Sequence, residues 1–173
     1  EKTRRCALAK ASAVAEQVEE GLVIGADTVV VLGDEILGKP ASEDEARDML
    51  ARLSGRTHRV ITGLAVVDAR SKRSVLGHET TAVTFRQLTR AEIASYVASG
   101  EPMDKAGAYG IQALGSLLVE GIQGCYFNVV GLPLVRLAKM CKEFGFDLLI
   151  DLAPHASHAQ EVGGHGRAGK ARC

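Results

Sequence analysis

The sequence has no tryptophan, and aromatic residues make up only 4% of it. So few aromatic rings argue against a stacking platform for single-stranded nucleic acid. Basic and acidic residues number 21 each, which gives a formal net charge of zero. Net charge therefore points to neither a nucleic acid polymer nor an anionic membrane as a partner. A local phosphate site is still compatible with this balance, because it needs only a few lysines.

The four cysteines are scattered along the chain without a CxxC pair. This spacing argues against a zinc site or a disulfide framework and favours a reducing, cytoplasmic setting. No apolar run approaches the ~18 residues of a transmembrane helix. The first residues, Glu1–Arg5, lack the character of a signal peptide. The sequence also lacks an initiator methionine, which suggests a fragment or a processed form.

Predicted strands and helices alternate over residues 1–152, which indicates one α/β domain. A tight turn at Gly33 predicts a hairpin between strands at Leu22–Leu32 and Glu35–Leu37, and hence a mixed sheet. Ser42 and Thr89 each begin a capping box that predicts a helix. Residues 153–173 are rich in glycine, alanine, histidine and basic residues, and we expect them to form a disordered tail.

The segment around Asp27 places one carboxylate within an otherwise apolar strand, Val23-Ile-Gly-Ala-Asp-Thr-Val-Val-Val31. A carboxylate is costly to desolvate unless it is paired, hydrogen-bonded or bound to a metal. Asp27 is therefore either a satisfied structural carboxylate or a site residue. This segment alone leaves both interpretations open.

Two further polar clusters accompany Asp27. Lys39 ends the return strand of the hairpin, almost opposite Thr28, and the glycine-rich segment 100–112 carries Asp104, Lys105 and Gln112. Taken singly, Lys39 could be a solvated lysine, Asp104 and Lys105 could be a surface ion pair, and Gln112 could be a structural amide. Together, lysines can neutralise phosphate oxygens, while a carboxylate can orient water or hold a divalent ion.

Other nucleotide-binding motifs are missing. The sequence contains neither a Walker P-loop nor a GxGxxG motif, which disfavours P-loop NTPases, kinases and dinucleotide-binding dehydrogenases. His58 is open to two interpretations, as a residue lining the start of a strand or as a member of a site.

Ordered motifs carry a family resemblance over residues 8 to about 150. They include Ile24-Gly-Ala-Asp-Thr-Val-Val30, Gly38-Lys-Pro40, Leu53-Ser-Gly-Arg-Thr-His58, Gly100-Glu-Pro-Met-Asp-Lys-Ala-Gly-Ala-Tyr-Gly-Ile-Gln112 and Asn128-Val-Val-Gly-Leu-Pro133. With them the chain resembles the Maf family of nucleotide pyrophosphatases. The resemblance implies an elongated mixed sheet flanked by helices, with a cleft between two lobes. It also implies hydrolysis of nucleoside triphosphates to monophosphate and pyrophosphate with Mg²⁺ or Mn²⁺, and a possible homodimer.

The resemblance also implies roles for individual residues. Asp27 matches the catalytic base and a metal ligand, and Lys10 and Lys39 match lysines near the triphosphate. Thr28 and Gln112 match specificity positions of the branch that accepts dTTP and UTP. Asp104 and Lys105 belong to the same matching stretch and are expected to bind substrate.

One part of the family pattern has no counterpart in this sequence. Family members begin with a strand and a Ser-x-Ser-Pro-Arg-Arg loop, whereas this sequence starts at the helix that carries Lys10. Three alternatives follow from this difference. The chain is an active pyrophosphatase, a catalytically impaired isoform that binds nucleotide or protein, or a fragment without independent stability.

Overall fold

A computed structural model describes residues 1–153, and the predicted tail lies almost wholly outside the described residues. The helices are α1 (Lys2–Ala15), α2 (Glu43–Leu53), α3 (Arg90–Ala98), α4 (Tyr126–Val130), α5 (Leu134–Lys142) and α6 (Leu148–Asp151). The strands are β1 (Leu22–Leu32), β2 (Glu35–Leu37), β3 (Thr57–Asp68), β4 (Ser74–Phe85) and β5 (Val119–Gln123). Within residues 1–153, no helix is both long and apolar enough to cross a bilayer.

The five strands form one sheet in the order β2-β1-β3-β4-β5. The α/β class is confirmed, but each described pairing is antiparallel, so the mixed sheet expected from the sequence is not seen. The reason is connectivity. The β2 hairpin and α2 together return the chain so that β3 runs against β1, and a tight turn at residues 69–73 makes β4 run against β3.

The predicted capping boxes do begin helices. Thr89 and Glu92 cap α3 reciprocally, as a capping box requires. Ser42 accepts a hydrogen bond from the Glu45 amide, but the Glu45 carboxylate accepts from the Ala41 amide instead of from Ser42, so α2 begins with a simple N-cap. Residues Ala113–Leu118 form a 3₁₀ turn, and pairing of the following strand with β4 starts only at Val119.

The two faces of β3 bury different kinds of side chain. On one face, Gly63, Ala65 and Val67 lie beneath α1, whose buried residues are the small side chains Thr3, Ala7, Ala11 and Ala15. On the other face, Val60 joins a core of large residues under α2 and α3, while Leu64 and Val66 pack beneath α5. Thr62 separates these two apolar clusters and is fully buried. The sheet therefore has a polar centre between two hydrophobic ends.

Candidate active site

A cleft of about 480 Å³ lies beside this polar centre. It is bounded by the middle of β1, the segment 101–113 and α4. Residues predicted from the sequence to form a site all line it: Lys10, Asp27, Thr28, Lys39, Asp104, Lys105 and Gln112. The fold thus brings together side chains that are separated by up to a hundred positions in the sequence.

Asp27 is paired with Lys10, which approaches it from α1. The Lys10 ammonium donates to Asp27 Oδ1 at 2.6 Å and to the Ala26 carbonyl at 3.3 Å. Pairing with β2 begins only at Val30, so among the described residues the Ala26 carbonyl lies on an unpaired strand edge. Lys10 therefore satisfies both a carboxylate and an edge carbonyl, and the close packing of α1 on β1 sets its position.

Two more lysines reach the cleft from other elements. Extending the register of β1 and β2 by two residues brings Lys39 alongside Thr28. Lys105 donates to Asp104 Oδ1 at 2.6 Å. This hydrogen bond and the Lys105 charge lower the pKa of the Asp104 carboxyl, and the charge of Lys39 lowers it further. Asp104 and Lys105 thus form an ion pair at the rim of the cleft. This position is compatible both with a surface ion pair and with the substrate-binding role implied by the resemblance.

Gln112 lies on a loop that is held from below by Glu101. Glu101 Oε1 accepts from the Tyr96 hydroxyl at 2.9 Å and from the Gly115 amide at 3.0 Å, while Oε2 accepts from the Leu114 amide at 3.2 Å. The sequence analysis missed Glu101, although its position between Gly100 and Pro102 marked the start of a turn. Its carboxylate organises the loop that carries Gln112.

A second set of residues missed from the sequence supports Thr28. The Thr28 and Thr62 hydroxyls are 2.8 Å apart, and Thr62 Oγ1 donates to the Asn128 carbonyl at 3.0 Å. Asn128 is completely buried, and its Nδ2 donates to the Val60 carbonyl and to Thr81 Oγ1. Thr62 and Asn128 are single polar residues within apolar segments, whereas Thr81 lies in a strand with several other polar residues and carried no such signal. This network joins α4 to the centre of the sheet.

His58 is a structural residue beneath the cleft. It is only 2% exposed, and burial lowers its pKa from 6.5 to about 4. Its Nε2 lies 2.7 Å from the Tyr109 hydroxyl, and its ring packs edge-on against Phe85 and Tyr109. Tyr109, which lines the cleft, has its pKa raised by burial. His58 thus supports the cleft wall through Tyr109.

The carboxylates of the cleft limit how a metal ion could bind. Glu101 uses both oxygens in hydrogen bonds, and Asp104 is paired with Lys105. Among residues 1–153, no three His, Cys, Asp or Glu side chains cluster as a metal site. Mg²⁺ is commonly held by one or two carboxylates together with substrate phosphates. The donor set fits an ion bound jointly by Asp27 and a phosphate ligand, and it does not fit an ion held by protein alone.

The fold defines an α/β protein whose cleft gathers the three lysines Lys10, Lys39 and Lys105 with three carboxylates, those of Asp27, Glu101 and Asp104. Residues 1–144 match the family described as Maf-like protein. The chain therefore belongs to the Maf family, which confirms the resemblance seen in its motifs.

Curated relatives are similar over most of the chain. It is 56% identical over 140 residues to the dTTP/UTP pyrophosphatase of Pelotomaculum thermopropionicum, and the match covers 81% of this chain and 73% of that protein. It is 58% and 54% identical over 142 residues to dTTP/UTP pyrophosphatases of Moorella thermoacetica and Bacillus cereus, covering 82% of this chain and 73% of each relative.

Proposed function

We propose that this chain hydrolyses dTTP and UTP to the nucleoside monophosphate and pyrophosphate. The observation that carries the proposal is the convergence of Lys10, Lys39 and Lys105 on one cleft around Asp27. Its volume of about 480 Å³ lies within the usual range of small-molecule sites. Relatives that are more than half identical to the chain are named dTTP/UTP pyrophosphatase, and this supplies the substrate class.

The lysines would bind the triphosphate. Each ammonium is a compact charge that offsets phosphate oxygens, and the negative charge on the departing pyrophosphate grows as the bond breaks. Lys10 contacts Asp27 from α1, whereas Lys39 follows the end of β2 and Lys105 lies on the segment 101–113. Triphosphate between them would place its α-phosphorus close to Asp27. This arrangement favours cleavage between the α and β phosphates.

Asp27 would orient the attacking water and accept its proton. Water attacks the α-phosphorus, the bond from this phosphorus to the bridging oxygen breaks, and pyrophosphate leaves with that oxygen. Before substrate binds, Lys10 holds the carboxylate in place at 2.6 Å. A divalent ion such as Mg²⁺ or Mn²⁺, held by Asp27 and the phosphates, would supply further charge neutralisation. Free cysteines at positions 6, 125 and 141 suit the reducing cytoplasm proposed for this reaction.

The nucleobase would contact the uncharged side chains of the cleft. Thr28 and Gln112 provide polar contacts there, and Val30, Val129 and Val130 provide apolar surface. This division, with phosphates among the lysines and the base among the valines, matches the two chemical halves of a nucleotide.

The substitution Asp27→Asn tests the proposed reaction. The amide keeps the shape of the side chain but cannot accept the proton of water, so turnover should fall by about 10²–10⁴-fold. Pyrophosphate and monophosphate are measured with dTTP and UTP, and circular dichroism reports folding. Asp34→Asn, in the β1–β2 turn, is the matched control and should retain full activity. Undiminished pyrophosphate release by folded Asp27→Asn, or release of orthophosphate alone by the parent, would contradict the proposal.

A further inference from the structure

We infer that Thr62 fixes the Thr28 hydroxyl as a hydrogen-bond acceptor towards the cleft, and that this acceptor recognises the imide N3–H shared by uracil and thymine. The inference rests on the proposed function and adds a positioning residue to it. Thr62 does not line the cleft and is fully buried, so it acts through Thr28.

The direction of the hydrogen bonds follows from counting protons. A threonine hydroxyl has one proton to donate and two lone pairs to accept with. Thr62 Oγ1 lies 3.0 Å from the Asn128 carbonyl, which can only accept, so the Thr62 proton is committed there. At the 2.8 Å contact between the two hydroxyls, Thr28 must therefore be the donor. With its own proton used in this way, Thr28 presents only lone pairs to a ligand.

The Asn128 carbonyl cannot readily move away from Thr62. The Asn128 side chain donates at 3.0 Å to the Val60 carbonyl and at 2.9 Å to Thr81 Oγ1. Thr81 Oγ1 also accepts from the Cys125 amide and donates to the Cys125 carbonyl. Its one proton and both of its lone pairs are therefore used. Both ends of the turn from Cys125 to Asn128 are thus tied to the sheet. The donor and acceptor roles of the Thr62 and Thr28 hydroxyls are therefore set before any nucleotide binds.

The acceptor role of Thr28 favours a nucleobase over a phosphate as its ligand. Thr28 shares the cleft with Val30, Val60, Val129 and Val130, and Lys39 lies alongside it in the extended strand register. An oxygen that can only accept would repel phosphate oxygens, whereas it suits an N–H group. Uracil and thymine share the N3–H donor, and dTTP and UTP differ at the sugar and at carbon 5. Cytosine carries an unprotonated N3, so two acceptors would face each other, and such an unmade buried hydrogen bond is costly.

The substitution Thr62→Val tests the inference through substrate selection. Valine nearly preserves the shape but frees the Thr28 proton, so Thr28 could then donate to cytosine N3. The ratio of kcat/KM for UTP over CTP should fall by about tenfold or more, partly because CTP turnover rises. Thr62→Ser keeps the hydroxyl and should restore the parent ratio. Thr84→Val is the matched control, because it breaks a 2.8 Å threonine pair with Thr57 on β3 and β4 outside the cleft.

A second variant, at Thr28, provides a test that does not depend on whether the buried Thr62→Val substitution disturbs folding. Thr28→Val removes the acceptor itself from a partly buried position, and it should lower the same ratio. An unchanged ratio in folded Thr62→Val and in Thr28→Val would overturn the inference, as would equal parent activity on UTP and CTP. In each of these cases the parent still releases pyrophosphate from UTP. Absence of that release from both dTTP and UTP would instead refute the proposed function.

Discussion

Two interfaces of opposite character hold the cleft together. Where α1 crosses β1 and β3, the contact is made mainly by small residues, and a Cβ atom at Gly25 would lie 2.1 Å from the Ala7 carbonyl oxygen. Beneath α2 and α3, the contact consists of large side chains such as Leu50 and Phe85, which are completely buried. The first interface fixes the distance between two backbones, and the second removes much more apolar surface from water.

Each interface positions a different part of the site. The small-residue interface carries Lys10 and sets its approach to Asp27, while the large-residue core supports Tyr109 and the segment that presents Lys105. The comparison predicts that substitutions in the large-residue core mainly lower stability. Substitutions in the small-residue interface should lower activity more than their stability cost implies.

The largest effect on stability is expected from Phe85→Ala. Phe85 packs edge-on against His58 and Tyr109, with ring centroids 5.1 and 4.7 Å apart, and a cavity would remain between them. Such truncations usually lower the free energy of unfolding by about 3–5 kcal/mol. Urea unfolding measures the loss. Phe127→Ala is the matched control, because Phe127 is 49% exposed and should change stability much less. Equal losses in the two variants would contradict the assignment of the main core.

His58 makes the same core sensitive to acid. Its pKa is about 4 in the folded protein, against about 6.5 for an unperturbed imidazole. The unfolded chain therefore binds this proton more tightly. The resulting contribution to stability is complete above pH 6.5 and is lost as pH falls towards 4, by up to about 3 kcal/mol. Unfolding in urea at pH 7 and pH 4 measures this loss.

The control for the pH experiment separates His58 from other titrating groups. His58→Gln keeps a donor near Tyr109 and does not titrate, so its stability should fall less between pH 7 and pH 4 than that of the parent. His78→Gln, at an exposed position on β4, should follow the parent curve. If all three proteins lose stability in parallel, the acid sensitivity has another origin.

Much of the fold could be predicted because its signals are local. The hairpin strands have the bounds expected from Gly33 and the flanking valines, and helices begin after Ser42 and Thr89 as expected. The sheet was predicted less well. Strand direction depends on how α2 returns the chain, and neither hydrophobic periodicity nor turn residues encode that path.

The residues of the site also fall into a group that could be predicted from the sequence and a group that could not. Its charged residues could be predicted because a carboxylate or lysine in an apolar or glycine-rich segment is conspicuous, and the structure gathers them in one cleft. Thr62, Thr81 and Asn128 could not, because a threonine in a strand ordinarily reflects β propensity. Their importance arises only from hydrogen bonds between residues up to 68 positions apart.

The smallest effect on stability, but a large effect on turnover, is expected from Gly25→Ala. The added methyl group must displace α1, because it meets the backbone of Ala7, and overpacking of this kind costs about 1–3 kcal/mol. Lys10 would move with the helix and lengthen its 2.6 Å contact with Asp27. A misplacement of about 1 Å can reduce catalysis by about 10²-fold. Pyrophosphate release and urea unfolding are measured on the same samples. Gly121→Ala is the matched control, because a Cβ atom there meets nothing within 4 Å. If Gly25→Ala loses stability while keeping full activity, then α1 does not determine the position of Lys10, and the division between the two interfaces fails.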